Sequence, residues 1–562
     1  MVALVIQKHS LFSSNIPLDL KRTRLENVLL KYKNETKHEE LRELESEIII
    51  GNFNIFNVKS FNNPEKLKGE FSFGRYIYAT KEFVGVRDRI GIKTFFYSNT
   101  KDLFVYSTSL KVIKEIIKDV SVNQEYLEHV LTGTAPLPNE TFYNEIERLP
   151  PAHILKYDKG ELTIRKYWEP TPKKTTSQEA FNELLVSAIN NRDTEISGSE
   201  LSGGIDSSGI SGVLARKNKQ LFSFRHVMSD LWIDNYYPFL DERKYSNSQI
   251  AFSKNINIVN VDSTDKGIVA ELIQQMSIMG SPFYSTMSLF SGGLYDAAKD
   301  KGVETLFSGF GGDELVSSTS FYYIQELINQ KNWKELRRIT EVDFFSIQNI
   351  KYYVRAFFPK LRIKKHWRAE QLQNHLLNKE ININKILKSD AATKKFDTLN
   401  DYLISKIKGN TLLTRIEENG LALHAMGIEY TYPLFDTDLI ECFLGLPSDV
   451  KYNNKLPRSV YRNAIKSYVP EEIYNREDKT GATVPTVFYR FMNDYDNIKE
   501  ILIKYKNGKA SEFLNFKKMF SILELIKKKA IGQPVAQRID IRIFLMGLQM
   551  ILYFDMDVLE DQ

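Results

Sequence analysis

The residues with the clearest chemical signature form the run Leu201-Ser-Gly-Gly-Ile-Asp-Ser-Ser208. Glycines let the backbone turn tightly and approach an anion closely. Serine hydroxyls and the free N–H groups at the start of a following helix can then hold that anion, aided by the helix dipole. The run lacks the Gly-Lys-Ser/Thr ending of a Walker P-loop, so cleavage between β- and γ-phosphates is not expected. It predicts a phosphate site; the alternative is an ordinary Gly/Ser turn before a helix.

A second run, Thr305-Leu-Phe-Ser-Gly-Phe-Gly-Gly-Asp-Glu314, repeats the order of strand, glycine-rich turn and carboxylates. The carboxyl ends of parallel strands meet at one edge of a sheet, where ligands bind. We therefore expect Asp206 and Asp313 to face one site and to hold Mg²⁺ through one carboxylate each, together with substrate phosphates. Alone, Asp313-Glu314 would fit a helix N-cap pair. Two such turns after strands favour the metal site.

The elements that position these turns alternate between helix and strand from about residue 178. Helices are predicted near 177–191, from the first turn to about 217, and near 287–301. Strands are predicted at 195–201, 221–227, 256–261 and 305–308. This βαβ series predicts a mostly parallel sheet with both faces covered. From about residue 320 the sequence is mainly helical in pattern, and the apolar run Ile543–Phe554 predicts a buried C-terminal helix.

Residues 1–170 have a different pattern, with short β-like runs separated by Asn, Gly and charged turns. Helices are predicted near 18–32 and 109–131, which gives an antiparallel α+β domain. The stretch Glu169–Ser177 is rich in Pro, Thr and Lys and predicts a linker. The predicted domains are therefore 1–170 and 178–562.

Composition excludes several classes of protein. The 562 residues carry a net charge of +5, which gives no support for a nucleic-acid partner. The single cysteine, Cys442, excludes a disulfide framework, a zinc ribbon and an iron–sulfur cluster. No signal peptide or membrane-spanning run is visible, so no membrane association and a cytoplasmic location are expected. The basic, aromatic segment 351–368 is interpreted as a solvated helix face, with a peptide or acidic-substrate contact as the alternative.

The first run resembles the pyrophosphate loop of the asparagine synthetase family and related N-type ATP pyrophosphatases. The second resembles the Ser-Gly-Glu-Gly-Ala-Asp-Glu motif of that family, and Ala425–Asp436 resembles the segment that ends in its Pro-Phe-Leu-Asp motif. Further resemblances extend over nearly the whole chain, at Phe71–Phe73, Arg87–Lys93, Leu149–His153, Tyr167-Trp168, Leu446-Pro447, Arg462–Ala464, Pro470–Ile473 and Arg476–Pro485.

The resemblance implies a fold and an activity. The implied fold is an N-terminal, Ntn-hydrolase-like antiparallel β-sandwich with helices. It is followed by a parallel-sheet synthetase domain, similar to adenine-nucleotide α-hydrolases, with a helical extension. Enzymes of this family use ATP and Mg²⁺ to convert a carboxylate to an acyl-adenylate, release pyrophosphate, and let an amine displace AMP.

The resemblance also implies roles for individual residues. Asp206 and Asp313 match the metal ligands, and Lys479 resembles a lysine that stabilises transition-state charge; a surface lysine is the alternative. The substrate pocket is predicted at Phe310, Gly311, Glu429 and Thr431. ATP binding is predicted at Leu201, Ser202, Gly203, Gly204, Asp206, Ser207, Ser208, His226, Ser308 and Gly309.

Departures from the family pattern bear on function. Glutamine-dependent members have a nucleophilic cysteine after the initiator Met, where this chain has Val2, and their glutamine-binding Asp is replaced by Ile77. The glutaminase is therefore expected to be inactive, with Cys442 a structural residue. Phe310 replaces the usual Glu or Tyr, and Thr431 replaces an Arg. This loss of polar contacts suits a substrate that brings its own amine.

The pattern resembles the lasso-peptide cyclases, or macrolactam synthetases, which join a peptide's N-terminal amine to an Asp or Glu side chain. The leading hypothesis is therefore an ATP-dependent amide ligase acting on a peptide, with a leader-peptide protease as a partner. The alternatives are a ligase for a small carboxylate that uses ammonia or an intramolecular amine, including a β-lactam-synthetase-like cyclase, and a catalytically silent scaffold.

Overall fold

The computed structural model begins with an antiparallel domain of two six-stranded sheets. It describes residues 2–7, 21–22, 28–32, 39–56, 61, 63–217, 220–227, 243–262, 267–317, 322–340, 375–379, 396–452, 458–477, 487, 490–529 and 537–559. The strands of the first domain are β1 Val2–Gln7, β2 Lys21–Arg22, β3 Val28–Tyr32, β4 Glu39–Glu43, β5 Glu47–Ile55, β6 Gly69–Ile77, β7 Glu82–Arg87, β8 Phe96–Asn99, β9 Leu103–Ser107, β10 Glu147–Arg148, β11 His153–Asp158 and β12 Glu161–Lys166.

The two sheets pack face to face as a sandwich. Their orders are β10-β8-β9-β1-β3-β2 and β12-β11-β7-β6-β5-β4. In β1, Val2 and Leu4 belong to the core between the sheets, together with Ile48 of β5. Ala3 and Val5 point to the opposite face, where helices cover the sheet. Both sets are buried because side chains alternate across a strand and β1 lies in a middle layer. The predicted antiparallel β-sandwich with helices is confirmed.

The helix predicted near 18–32 is wrong, because the described part of this segment forms β2 and β3. Strand β3 pairs antiparallel with β1, with Val2 opposite Tyr32 and Ile6 opposite Val28. Its other edge pairs with β2. Long-range strand pairing has overridden the local pattern here. The helix predicted at 109–131 is two helices, α1 Leu110–Ile117 and α2 Gln124–Thr132, because Lys118 has a φ of +56° and Asn123 caps the second.

The second domain is built on a five-stranded sheet of order β15-β14-β13-β16-β17, and all its neighbouring strands are parallel. The strands are β13 Ser197–Glu200, β14 Leu221–His226, β15 Ile256–Val261, β16 Thr305–Phe307 and β17 Glu429–Thr431. Central strand β13 has the short side chains Ser-Gly-Ser before Glu200. The Ser199 hydroxyl lies 2.8 Å from the hydroxyls of Ser211 and Ser223, which satisfies these buried polar groups within the domain. The predicted parallel sheet is confirmed.

Helices surround this sheet and continue to the C-terminal region. They are α3 Gln178–Asn190, α4 Ile205–Lys217, α5 Arg243–Phe252, α6 Val269–Met279, α7 Met287–Asp300, α8 Tyr322–Asn329, α9 Trp333–Thr340, α10 Leu399–Ile407, α11 Asn410–His424, α12 Thr437–Gly445, α13 Ser448–Lys451, α14 Ser459–Ile465, α15 Glu471–Tyr474, α16 Tyr495–Tyr505, α17 Phe516–Lys529 and α18 Gln537–Phe554.

The last helix, α18, packs into the main core of the molecule. Phe544, Leu545 and Leu548 are fully buried in it. This confirms the prediction of a buried C-terminal helix for the apolar run Ile543–Phe554. Among the described residues, none of the helices combines the length and the apolar character needed to cross a bilayer.

Candidate active site

The first glycine-rich turn follows the central strand β13 and leads into α4. Gly203 has a φ of +83°, a backbone conformation that side chains with a Cβ rarely adopt. The N–H of Gly204 donates to the Ser202 hydroxyl at 3.2 Å, and the Ser202 and Ser207 hydroxyls lie 3.1 Å apart. The N–H groups at the start of α4 face the same turn, which is the arrangement that binds anions.

The turn after β16 packs directly against the first turn. A Cβ on Gly309 would lie 2.8 Å from the backbone nitrogen of Ser207, and a Cβ on Gly312 would overlap the Asp206 carboxylate. Gly312–Val316 forms a single π-helical turn, a feature often found at functional sites. The close approach explains why glycine stands at both positions. The structure thus brings the two sequence-predicted turns together at the carboxyl edge of the sheet.

Asp206 and Asp313 share one cationic partner, Arg458. The Arg458 guanidinium donates to Asp206 Oδ2 at 3.1 Å and also forms an ion pair with Asp313. Ser317 donates to Asp206 Oδ1 at 2.7 Å. Burial raises the pKa of Asp206 to about 7, although Arg458 opposes this shift; the charge of Asp313 adds to it. The guanidinium of Arg458 therefore bridges the two carboxylates.

This carboxylate pair is suited to a divalent cation. Mg²⁺ is commonly bound by one or two carboxylates and by substrate phosphates rather than by a complete protein cage. Within the described residues, no group of three or more His, Cys, Asp or Glu side chains forms a metal site. Asp206 and Asp313 would therefore supply two ligands, and phosphate oxygens of the substrate would supply others. The donor chemistry of the pair fits Mg²⁺.

The predicted nucleotide contacts His226 and Ser308 lie at the carboxyl ends of neighbouring strands. Both ring nitrogens of His226 are buried, and neither has a hydrogen-bond partner in the described part of the chain. Burial lowers the pKa of His226 to about 4, so its imidazole is neutral at pH 7. Ser308 donates to Glu200 Oε2 at 2.7 Å, and Tyr430 donates to the other oxygen of Glu200. A neutral, unpaired imidazole could hydrogen-bond a nucleobase.

Phe310 lies in an aromatic wall beside these turns. Its ring centroid is 6.0 Å from that of Tyr432 and 5.5 Å from that of Phe435. Gly311 packs on the Phe435 ring and has a φ of +104°. On another side, the guanidinium carbon of Arg415 lies 3.8 Å from the Phe310 centroid. The surroundings of Phe310 thus combine apolar surface with one cation.

Glu429 and Thr431, also predicted to line the substrate pocket, are engaged with the N-terminal domain. Glu429 is buried and forms an ion pair with Lys93, and Asn52 donates to it at 3.4 Å. The Thr431 hydroxyl donates to Glu70 at 2.8 Å. Because side chains alternate along β17, Tyr430 points to the other face of the strand. A part for Glu429 and Thr431 in substrate binding stays a prediction.

Two further predictions fall on residues that the structure does not describe. Lys479 and the basic segment 351–368 both lie outside the described residues. The predicted structural role of Cys442 fits its position, because it is 1% exposed in α12 and its Sγ lies 2.6 Å from the Thr176 hydroxyl. It is a free thiol.

Several site residues were not found from the sequence. Arg458 precedes α14, Arg476 donates to the Gly203 carbonyl at 2.9 Å, and Tyr461 donates to the Asp206 carbonyl at 3.0 Å. Glu200 and Arg415 were missed as well. Arg458 and Asp206 are 252 positions apart, and Arg458 belongs to no motif that the sequence analysis identified. Arg476 begins the segment Arg476–Pro485 that resembles the family, but it was given no role. Glu200 offered another signal, because it is a charged residue that ends a strand directly before the glycine-rich turn.

The structure joins an antiparallel sandwich to a domain built on a parallel α/β sheet, and comparisons with known proteins identify a family for each part. The asparagine synthase family matches residues 180–547, and the glutamine amidotransferase domain matches residues 33–168. The first match covers more than half of the chain. The chain therefore belongs to the asparagine synthase family, and it is a carbon–nitrogen ligase of that kind.

Individual relatives are distant. Asparagine synthetase [glutamine-hydrolyzing] 3 of Bacillus subtilis is 22% identical over 74% of this chain and 67% of its own length. Putative asparagine synthetase [glutamine-hydrolyzing] 2 of Methanocaldococcus jannaschii is 30% identical, over 28% of this chain and 33% of its own. A glutamine phosphoribosylpyrophosphate amidotransferase structure from B. subtilis matches 31% of this chain and 46% of its own length at 10% identity, with a TM-score of 0.16.

Proposed function

We propose that this chain is an ATP- and Mg²⁺-dependent, AMP-forming amide ligase whose product is a macrolactam in a lasso-type precursor peptide. The observation that carries the ligase is the contact between the two glycine-rich turns, with Asp206 and Asp313 sharing one cation. This is a place for a pyrophosphate group and a metal ion at the carboxyl edge of a parallel sheet.

The proposed reaction has two steps. A carboxylate oxygen of the substrate attacks the α-phosphorus of ATP, and pyrophosphate leaves. An amine then attacks the acyl carbon, and AMP leaves with that oxygen while the amine loses a proton. Ser202, Gly204 and Ser207 would hold the departing pyrophosphate through hydroxyl and N–H donors. Lys479 is proposed to stabilise the developing negative charge.

Mg²⁺ would neutralise phosphate charge in this site. Asp206 and Asp313 are the residues proposed to hold it. In their present arrangement Arg458 neutralises both carboxylates. Its guanidinium would be available to phosphate oxygens once a metal ion takes that role.

Two observations support a peptide with its own amine over a free amino acid and glutamine. Phe310, Tyr432 and Phe435 make the surface beside the turns aromatic. Position 310 therefore has no carboxylate that could bind the amino group of a free amino acid. The only thiol of the chain, Cys442, is buried in α12 of the second domain. The N-terminal domain therefore has no cysteine to attack glutamine. A protease that removes a leader peptide is proposed as the partner.

A second candidate is a ligase that joins ammonia to a small carboxylate. The curated relatives named as asparagine synthetases favour it. In that case the N-terminal domain would serve as a scaffold, and ammonia would come from solution.

Pyrophosphate release by the purified protein tests the proposal. We expect release with ATP, Mg²⁺ and a precursor peptide plus its protease, and a product lighter by one water. Aspartate with ammonia should give no release, and Asp206→Asn should abolish it. Release with aspartate and ammonia would establish the second candidate instead. An active site that binds ATP but releases pyrophosphate with none of these substrates would contradict both.

A further inference from the structure

Arg415 is the cation of the candidate active site that nothing described so far employs. It lies in α11, partly buried, with its guanidinium over the Phe310 ring at 3.8 Å. Its Nε is buried, and among the described residues its guanidinium makes no hydrogen bond or ion pair. A guanidinium has five donors and cannot lose its charge in a protein, so leaving all of them unused inside a molecule is costly.

Glu200, a carboxylate on which Arg415 acts electrostatically, does not use these donors. The charge of Arg415 acts on Glu200, but Glu200 already accepts hydrogen bonds from Ser308 and Tyr430, one on each oxygen. Burial raises the pKa of Glu200, and the hydrogen bonds from Tyr430 and Ser308 and the charge of Arg415 oppose this shift. The donors of Arg415 therefore remain available to a ligand.

The acidic residues of α11 are also engaged elsewhere. Glu417 pairs with Arg87 and Arg148 of the N-terminal domain. Glu418 accepts the backbone N–H groups of Tyr284 and Ser285, the first at 2.9 Å. These buried contacts fix α11 from two other sides. Arg415 thus lies on a helix that is held by buried contacts, and its guanidinium packs on the Phe310 ring.

The position of Arg415 relates it to the reacting groups. Phe310 directly follows Gly309, which packs on the backbone of Ser207, next to the first glycine-rich turn. Tyr432 and Phe435 complete an apolar wall around the Phe310 ring. A planar cation next to an apolar wall fits a planar anion on a short aliphatic stem. The guanidinium fork matches the two oxygens of a carboxylate.

We propose that Arg415 binds the carboxylate that is to be adenylated, and that this carboxylate is the side chain of an aspartate or glutamate residue. Phe310 serves as the platform that orients the guanidinium, rather than as a replacement for a lost polar contact. Arg415 is thereby a specificity-determining residue. The proposal deepens the proposed function and rests on it for the identity of the reacting carboxylate.

A binding experiment tests this without requiring turnover. The probe is N-acetyl-aspartic acid α-methylamide, which carries a side-chain carboxylate and no free termini, and its comparison is the asparagine analogue, which has the same shape and no charge. Binding of each is measured by titration calorimetry with the wild type, Arg415→Met and Arg415→Lys. Arg216→Met is the matched control, because Arg216 lies over the Tyr468 ring at 4.3 Å in the same domain but away from the site.

The wild type should prefer the carboxylate probe by at least about tenfold, the effect of one charge-assisted pair. Arg415→Met should reduce this preference to about one, and Arg415→Lys should keep part of it. Arg216→Met should keep all of it, and the affinity for ATP should stay within about twofold in every variant. Retention of the preference in folded Arg415→Met and Arg415→Lys, no preference in the wild type, or a loss confined to ATP would each overturn the proposal.

Pyrophosphate release measured on the same proteins separates the two hypotheses. If the carboxylate preference depends on Arg415 but no carboxylate supports pyrophosphate release, the proposed function fails and the carboxylate site stands. If the wild type and Arg415→Met release pyrophosphate with the same KM for the carboxylate, the ligase stands and the role of Arg415 is refuted.

Discussion

The carboxylates of Asp206, Glu417 and Glu418 are held by two kinds of partner. Asp206 is paired with Arg458, and Glu417 with Arg87 and Arg148. Glu418 instead accepts two backbone N–H groups. Burial raises the pKa of Glu418 to about 8, and the backbone hydrogen bonds offset only part of that shift. A buried acid without a directly paired cation makes stability depend on pH.

Glu418→Gln tests this dependence. In the wild type the pKa of Glu418 is higher in the folded than in the unfolded protein, so Glu418 ionises at lower pH in the unfolded chain. The free energy of unfolding therefore falls as pH rises from about 5 to 8. The slope is at most about 1.4 kcal/mol per pH unit. We expect the variant to be less stable than the wild type at pH 5.5, because its amide cannot accept both N–H groups. The difference in free energy of unfolding should become smaller as pH rises. Urea denaturation at several pH values measures this.

The control for this experiment is Glu145→Gln. Hydrogen bonds from Ser121 outweigh partial burial and lower the pKa of Glu145, so this group is ionised in both states throughout the range. The stability difference for Glu145→Gln should not change between pH 5.5 and 8. A Glu418→Gln difference that is equally independent of pH would show that Glu418 is ionised in the folded protein.

The single thiol leads to a prediction about the amine donor. Cys442 is 1% exposed in α12, whereas the N-terminal domain begins with the buried strand residue Val2. We expect glutamine to yield no glutamate with the wild type, and Cys442→Ala to leave the ligase rate unchanged. Glutamate formation would be followed with a coupled dehydrogenase assay. Glutamine hydrolysis that Cys442→Ala abolishes would contradict the inactive glutaminase.

At the scale of elements, the site depends on two turns that approach each other more closely than side chains allow. The turn after β13 brings Asp206, and the turn after β16 brings Asp313. Gly309 and Gly312 form the contact between them. The strands β13 and β16 are direct neighbours in the sheet, which sets the spacing of the turns. The glycines then decide how near the carboxylates come.

Gly312→Ala should therefore separate the turns. Its methyl group would overlap the Asp206 carboxylate. We expect pyrophosphate release to fall at least about tenfold, equivalent to about 1.4 kcal/mol in the barrier, with most of the stability retained. The matched control is Gly420→Ala in α11, where, apart from the backbone of the helix itself, the described residues bring only the Ile92 carbonyl oxygen within 4 Å of the new methyl group, at 3.8 Å. That change should leave the rate unaffected and, as a Gly-to-Ala substitution in a helix, add up to about 1 kcal/mol of stability. Equal rates for the two variants would refute this account of Gly312.

At the scale of the whole molecule, buried ion pairs join the two sheet domains. Arg87 pairs with Glu417, Lys93 with Glu429, and Arg192 with Glu70 and Asp436. Glu429 is the first residue of β17, which pairs with β16, the strand before the second glycine-rich turn. These ion pairs thus hold the N-terminal domain against the sheet of the second domain.

Lys93→Met should destabilise the protein by about 3–5 kcal/mol, because it removes the lysine that is paired with the buried Glu429 carboxylate. The second change Glu429→Gln should recover most of this loss. Both are measured as apparent free energies of unfolding. The control is Arg165→Met, which removes an exposed pair with Glu65 and should cost less than about 1 kcal/mol. A loss for Lys93→Met no greater than that of the control would show that the interface pair contributes little.

Features that depend on local pattern could be predicted from the amino-acid sequence. The glycine-rich turns, the helix Ile205–Lys217, the strand Ile256–Val261 and the buried C-terminal helix follow from spacing and hydrophobic periodicity, which constrain a few neighbouring residues at a time. The parallel sheet follows from the alternation of helices and strands.

Contacts between residues that are distant in sequence became known from the three-dimensional structure. The segment predicted as a helix at 18–32 became strands because β1 offers it an edge to pair with. Arg458 reaches Asp206 across 252 positions, and Glu429 faces Lys93 across 336. The proposed role of Arg415 likewise depends on its contact with the Phe310 ring, which is 105 positions away in the sequence and could not be predicted from it. Side-chain partners of this kind depend on how complete elements pack, and local sequence patterns carry no information about that packing.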